Sequence, residues 1–320
     1  MTFSVTILGN ASAMPVRQHF PTAQVLNVHE RLFLIDCGEG AQMQLQQCGL
    51  SFFKIDAAFI SHLHGDHLFG LFGLLSTMSM LGRRGEFPIY APEGLQQILS
   101  DHLKYFGAEM QYTPIVHAVG TVGPELIYEN KAMTVHSIPL KHRIPAVGFL
   151  FRERTPQLNV HKEMIEKYGL SFPEIIQLKR GEDVVRDNAP VISAAETTYL
   201  PYRPRSYAFC SDTAFSEEVI AAVRDVDLLY HEATFQNDRR DLAVETQHST
   251  AADAAAVAKA AGAKKLLIGH FSSRYTNEDG FLQEARAIFP NTEIAEERKA
   301  FGITCVETLH ATSLHMLPNV

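Results

Sequence analysis

Four side chains able to ligate a metal fall within six positions of this chain: His62, His64, Asp66 and His67, in the string Ser61-His62-Leu63-His64-Gly65-Asp66-His67. Imidazole and carboxylate are ligands that zinc, manganese and iron accept, and Gly65 lets the backbone turn tightly among them. The string follows the apolar run 57–60, which reads as a buried strand, so the four side chains ride on a strand-end loop that can aim them at one point. Such a density fills one metal site but needs distant partners to hold two. Partners occur at one kind of place, the end of an apolar run: His142 after 135–141, Asp212 after 207–211 and His270 after 266–269. Loops leaving strand ends on one edge of a sheet converge, and Asp212 has two oxygens to share between two cations.

The elements that must carry these residues follow from apolar patterning. Strands are expected at 5–8, 24–28, 32–35, 57–60, 89–90, 115–118, 133–138, 147–151, 207–210, 228–230 and 266–268, with a closing strand at 303–306. Helices are expected after Gly40, with Met43, Leu45 and Cys48 facing inward, and after the histidine loop, with Leu71, Leu74, Leu75 and Met78 inward. Further helices are expected at 217–223, 251–261 and 278–288. The stretch 152–190 breaks the pattern. It holds seven Lys/Arg and seven Asp/Glu, Pro156, Pro173 and one short helical segment at 163–168, and it reads as an excursion from one domain spanning 1–320. Two mixed α/β halves around that excursion imply a sheet-on-sheet core covered by helices on both sides.

Composition sets the limits. With 320 residues, 46% hydrophobic and 20% charged, the chain is an ordinary globular one with a sizeable core. No apolar run approaches the roughly 18–20 residues of a membrane helix, and the start reads as a strand rather than a signal peptide, so a cytoplasmic location is expected. A net charge of −8 argues against non-specific coating of nucleic acid, though a local basic patch or a metal pair can still attract RNA. Cys37, Cys48, Cys210 and Cys305 are scattered and read as small buried hydrophobes.

Several strings together resemble the ribonuclease Z family, the tRNA 3′-processing endonucleases of the metallo-β-lactamase superfamily. They are Asp36-Cys37-Gly38-Glu39-Gly40, the loop 62–67, Pro139-Leu140-Lys141-His142, Ser211-Asp212-Thr213, His231-Glu232-Ala233-Thr234, His248-Ser249-Thr250 and Gly269-His270-Phe271-Ser272-Ser273-Arg274-Tyr275. The resemblance spans essentially the whole chain and implies an αββα sandwich. It implies one zinc on His62, His64 and His142, a second on Asp66, His67 and His270, and Asp212 between them, with manganese or iron as substitutes. A metal pair roughly 3.5–4 Å apart lowers the pKa of a shared water and stabilises phosphoryl oxygens during in-line attack, and Asp66 is placed to orient that water. The implied activity is removal of the 3′ trailer from precursor tRNA by a homodimer, leaving a 3′-hydroxyl on the tRNA and a 5′-phosphate on the trailer.

A departing ribose 3′-oxygen needs a proton, and His248 is the candidate general acid. It precedes Ser249-Thr250-Ala251-Ala252-Asp253, a helix start with a hydroxyl cap and an early acid. The positive end of a helix lowers a histidine pKa; a carboxylate such as Glu232 would counter that and keep His248 protonated. His231 reads as buried and structural. His102, His117, His136, His161, His310 and His315 lack a supporting pattern.

The excursion occupies the place of the family's tRNA-gripping arm, and Lys162, Lys167, Lys179, Arg180 and Arg186 are candidate phosphate contacts. It carries Gly169-Leu170-Ser171-Phe172-Pro173 where the resemblance leads one to expect a Gly-Pro element. Two other readings compete. A phosphodiesterase or arylsulfatase acting on small esters would keep the metals and need no arm. A non-catalytic RNA-binding protein with structural zinc would show a damaged ligand set, and every ligand is present.

Overall fold

The structure is a computed structural model and describes residues 1–14, 19–187 and 189–304. Two seven-stranded sheets face each other. The first runs in the order Ala300–Gly302, Phe3–Gly9, Ala23–Val28, Arg31–Cys37, Ile55–Phe59, Glu86–Ala91, Thr113–Ala118. The second runs Thr292–Ile294, Leu266–Gly269, Leu228–Glu232, Ser206–Cys210, Val147–Glu153, Met133–Pro139, Leu126–Glu129. Between the sheets lies an apolar layer rich in rings, with Phe33, Phe59, Phe149, Phe151, Tyr207, Phe209 and Tyr230 all buried. Offset and edge-to-face pairs such as Phe59–Phe149 at 5.4 Å and Phe209–Tyr230 at 5.0 Å each add about 0.5–1.5 kcal/mol beyond area burial.

Helices close both outer faces. Gly65–Met80 lays His67, Leu68, Leu71, Leu74, Leu75 and Met78 on the first sheet, at the i, i+3, i+4 spacing of a helical stripe. Ala251–Ala261 covers the second sheet with Ala254, Ala255 and Ala258, whose small side chains permit close approach. The four layers are helix, sheet, sheet, helix.

Strand direction explains why the candidate residues meet. In the first sheet Arg31–Cys37 and Ile55–Phe59 are parallel. In the second, Ser206–Cys210, Leu228–Glu232 and Leu266–Gly269 are parallel. Met133–Pro139 joins them through two antiparallel steps across Val147–Glu153, so it shares their direction. The carboxyl ends of these strands emerge on one edge, where open α/β sheets carry their sites. The Val147 N–H bonded to the Ser61 carbonyl at 2.9 Å ties the two sheets together there.

Three expectations need correction. The helix Ala41–Gln47 buries Ala41, Gln44 and Leu45, while Met43 is exposed and Cys48 half-buried. Gln44 takes the inward place because its Nε2 donates to the Leu8 carbonyl at 2.8 Å. The closing strand is Ala300–Gly302 rather than 303–306; the Ile303 N–H still bonds the Phe3 carbonyl, and 305–306 lie outside the described residues. The excursion holds a second helix, Phe172–Lys179, started by a capping box between Ser171 and Glu174 with proline in its first turn. A two-stranded ladder, Asn159–Val160 with Thr198–Tyr199, closes the excursion's base, so its ordered elements run past residue 190. Cys37 and Cys210 are buried; Cys305, His310 and His315 lie outside the described residues.

Candidate active site

Four side chains converge beside the histidine loop. His62 Nε2 and His142 Nε2 approach His64 Nδ1 to 3.1 and 3.4 Å, and Asp212 Oδ2 stands 3.5 Å from His62 Nε2 and 3.8 Å from His142 Nε2. A second group adjoins it. His67 Nε2 and His270 Nε2 are 3.2 Å apart, Asp66 Oδ2 is 3.5 Å from each, and Asp212 Oδ1 lies 3.3 and 3.2 Å from them. One oxygen of Asp212 thus faces each group. All seven residues singled out as ligand candidates are in these two clusters.

The far side of each ring fixes where its lone pair points. His67 Nδ1 donates to Asp36 Oδ2 at 2.7 Å. Ser61 Oγ donates to the same oxygen at 2.8 Å and therefore accepts from His62 Nδ1 at 2.9 Å. His142 Nδ1 donates to the Gln247 carbonyl at 3.1 Å. Thr234 Oγ1 donates to Glu232 Oε2 at 2.8 Å and accepts from His270 Nδ1 at 2.8 Å. With those protons placed, the Nε2 atoms of His62, His67, His142 and His270 carry lone pairs aimed inward. Imidazole lone pairs 3.2 Å apart repel unless a cation lies between them. Ligand atoms about 2.0–2.1 Å from a tetrahedral zinc stand roughly 3.3 Å from one another, the spacing seen here, so the residues fit a pair of cations.

The backbone is strained to achieve this. Asp36, Gln247 and His270 have φ of 54°, 54° and 63°, a left-handed conformation that disfavours side chains and clusters at functional sites. The helix carrying His67 comes close because Gly70 and Gly38 are bare: a Cβ on Gly70 would stand 2.1 Å from the Gly38 carbonyl oxygen.

The electrostatics agree. Burial alone would raise the Asp212 and Asp66 pKa values, but the surrounding imidazoles hold both well below the usual carboxylate range. Burial opposes a proton on His67, yet Asp212, Asp66 and Asp36 push its pKa well up; the field that would hold a proton there favours any cation. Burial brings His142 down to about 4, so at neutral pH it is an uncharged ligand.

His248 is placed differently. Its Nδ1 donates to Glu232 Oε1 at 2.8 Å, and its Nε2 stands 3.9 Å from Asp212 Oδ2. Glu232, fully buried at the end of its strand, also accepts from the backbone N–H groups of Thr213, Thr234 and Ser249. Burial lowers the His248 pKa, but Glu232 overrides it and lifts the value to about 9. A histidine so paired keeps its proton, which suits an acid better than a ligand. The cap of the next helix is Thr250, in a capping box with Asp253; Ser249 instead anchors its hydroxyl on the Thr213 carbonyl at 2.7 Å. His231 is buried with Nδ1 on its neighbour's carbonyl, and burial lowers its pKa.

Sequence reasoning assigned no role to Asp36, Ser61, Thr234 or the Gln247 carbonyl. All four lie within or beside the quoted strings, but the bonds that join Ser61 to Asp36, Asp36 to His67, Thr234 to His270 and Gln247 to His142 cross 25 or more residues, which no spacing reveals. In the excursion, Arg186 is not available as a phosphate contact: its guanidinium binds Glu174 at 2.6 and 2.9 Å and the Tyr168 carbonyl at 2.9 Å. A cleft of about 420 Å³ opens over the clusters, lined by Pro21, Glu39, His64, Asp66, Phe69, Arg143, Asp212 and His248 among others.

A family model described as "Anti-Pycsar protein Apyc1" matches residues 3–155, a stretch that includes the histidine loop and His142 but stops short of Asp212, Glu232, His248 and His270. Ribonuclease Z of Bacteroides fragilis is 46% identical over 301 residues, 94% of this chain and 99% of the relative. The crystal structure of human tRNase Z, short form, matches with a TM-score of 0.69 and 27% identity, covering 94% of this chain and 99% of that one. The metallo-β-lactamase fold protein YhfI from Bacillus subtilis matches at 0.67 with 17% identity, covering 94% and 100%; that likeness concerns the fold alone.

Proposed function

The chain belongs to the ribonuclease Z family, and on that premise we propose that it is a metal-dependent endoribonuclease that removes the 3′ trailer from precursor tRNA. The cut leaves a 3′-hydroxyl on the tRNA and a 5′-phosphate on the trailer. The observation that carries this reading is the set of opposed imidazole lone pairs around Asp212, one carboxylate oxygen facing each group. His62, His64 and His142 would hold one divalent cation, Asp66, His67 and His270 the other, and Asp212 both. Zinc suits this set of imidazole and carboxylate donors. Such a pair supplies a water of lowered pKa and neutralises charge on the phosphoryl oxygens.

The protein's own groups do the rest. Asp66 lines the cleft, is held by the Ala13 N–H at 2.7 Å, and orients the attacking water by accepting its hydrogen bond. His248 presents Nε2 toward Asp212 and donates its proton to the departing ribose 3′-oxygen. Glu232 keeps that proton in place and fixes the ring. The excursion, inserted in the chain between His142 and Asp212 and built on its own small core, is suited to dock the body of the tRNA. Lys162, Lys167 and Arg180 are exposed there. A homodimer, the assembly implied by the family resemblance, would let one subunit's excursion hold RNA for the other.

Incubating the purified protein with a precursor tRNA and sequencing both products tests the reading. A cut where the 3′ trailer leaves the acceptor stem, with a 3′-hydroxyl on the tRNA, is expected. Intact precursor alongside hydrolysis of a small activated diester would overturn it.

A further inference from the structure

The cleft has one conspicuous apolar feature that neither the clusters nor the acid explains. Phe69 stands on the first turn of the helix Gly65–Met80, three residues beyond Asp66, and is 65% exposed at the cleft wall. It lies off the buried stripe of that helix, and among the described residues no aromatic ring packs against it. Phe72, one turn further, by contrast packs against His102, with ring centroids 4.7 Å apart and the rings tilted. The ring of Phe69 is laid back over Gly65: a Cβ there would stand 2.3, 2.5 and 2.8 Å from three of its ring carbons. One face is thus backed by the metal-binding loop and the other is open. Across the same cleft stands exposed Arg143, which makes no ion pair among the described residues and lies close enough to His248 to lower its pKa.

We propose that Phe69 is the stacking platform for the first base of the trailer, while Arg143 holds a phosphate on the tRNA side of the cut. This rests on the function proposed above. The ribose whose 3′-oxygen leaves must reach His248, so the nearby guanidinium belongs to that side of the scissile bond. The base before the cut is already stacked on the acceptor duplex. The first trailer base is single-stranded and has no such partner, and an open aromatic face is what an unpaired base takes, without regard to sequence. Phe69 sits on the helix that starts at the histidine loop, three residues beyond Asp66, so a base held there fixes the scissile phosphate over the clusters. It also means that Gly65 serves two purposes, the turn among the ligands and the seat of the ring.

The test is a cycle on the full chain with two precursor tRNAs, one normal and one abasic at the first trailer position. Loss of one base–aromatic stack costs about 1–3 kcal/mol, so Phe69→Ala should lower kcat/KM on the normal precursor about 5- to 150-fold. On the abasic precursor the wild-type enzyme should be slowed by a similar factor, with Phe69→Ala adding less than about twofold. Phe69→Tyr should restore most of the rate on the normal precursor. Equal slowing of both precursors by Phe69→Ala, or none on either, overturns the proposal, the first because the ring would then only support the loop. Arg143→Ala should weaken binding and reduce the slope of log K against log salt by about one; an unchanged slope removes the phosphate contact. Failure of the wild-type protein to cut the normal precursor would reject the proposed function rather than the platform.

Discussion

At the strand-end clusters nearly every functional side chain is fixed from more than one direction. Asp36 alone receives the Ser61 N–H, the Ser61 hydroxyl and His67 Nδ1, and Glu232 receives donors from four residues. The excursion between Glu153 and Ser206 is constructed the other way. Five buried apolar residues, Leu170, Leu178, Val184, Ile192 and Ala194, form its only core among the described residues, and its principal ion pair, Arg186–Glu174, is internal. Buried networks of charge-assisted hydrogen bonds tolerate little movement; a small separate core permits local opening. The contrast fits the roles proposed above, positioning of reacting atoms for the first region and adaptable docking for the second, and on that reading the two should fail independently.

The sharpest way to break the comparison is at Asp212. Asp212→Ala removes one ligand from both clusters, so cleavage should fall well beyond the roughly 10–100-fold typical of losing an outer partner. Metal analysis should find fewer than two equivalents per chain, and a mutant that retains both would overturn the bridge.

The next largest effect belongs to His248. Its loss should slow cleavage about 10²–10⁴-fold while metal content stays at the wild-type level. An acid works while protonated, so activity should fall as pH rises through the His248 pKa. Burial lowers that pKa, Glu232 raises it, and the balance stands at about 9. Glu232→Gln removes the raising charge, so the alkaline limb of kcat/KM should move to lower pH. A limb that stays put when chemistry limits the rate would separate Glu232 from the acid.

Asp36→Asn is a smaller perturbation. The Ser61 N–H binds Oδ1 while the Ser61 hydroxyl and His67 Nδ1 share Oδ2, so an amide, with one oxygen, cannot accept from all three. Metal affinity, read by competition with a chelator, should drop about 10–100-fold, with the fold intact. Affinity unchanged would mean that the His67 ring is held by packing alone.

What was legible in the sequence follows the same division. A candidate ligand at the end of an apolar run announces itself, because strand direction decides where the loop emerges; hence the convergence of His142, Asp212 and His270 could be expected without a structure. The partners on the far side of each ring could not, because Thr234 reaching His270 depends on which strands lie side by side, and Asp36 reaching His67 on how the helix Gly65–Met80 packs on its sheet. In the excursion the balanced charge stood out, yet the helix Phe172–Lys179 did not. Its signal was present as Ser171 three residues before Glu174 with Pro173 between, a capping box in a stretch read only as a departure from the Gly-Pro element. Met43 was misplaced because a single seven-residue helix gives too few turns for an apolar stripe to outvote a buried glutamine that satisfies a backbone carbonyl.

The smallest expected effect sharpens the comparison most, because it touches only the excursion. Leu178 is fully buried among Leu170, Val184, Ile192 and Ala194. Truncating a buried leucine to alanine costs about 2–5 kcal/mol where the surroundings cannot collapse, and a core of five residues has little to lose. Leu178→Ala should therefore open the excursion locally, seen as faster amide hydrogen exchange between residues 159 and 199. Exchange in the strands that carry the clusters should be unaffected. Hydrolysis of a small activated diester should match the wild type, since that substrate needs only the cleft. With precursor tRNA, KM should rise by up to about tenfold with kcat nearly constant, because a mobile excursion must first be ordered by the RNA and that cost falls on binding. A fall in kcat on both substrates would show that the excursion braces the strands Val147–Glu153 and Ser206–Cys210 that flank it, and the two regions would then be one.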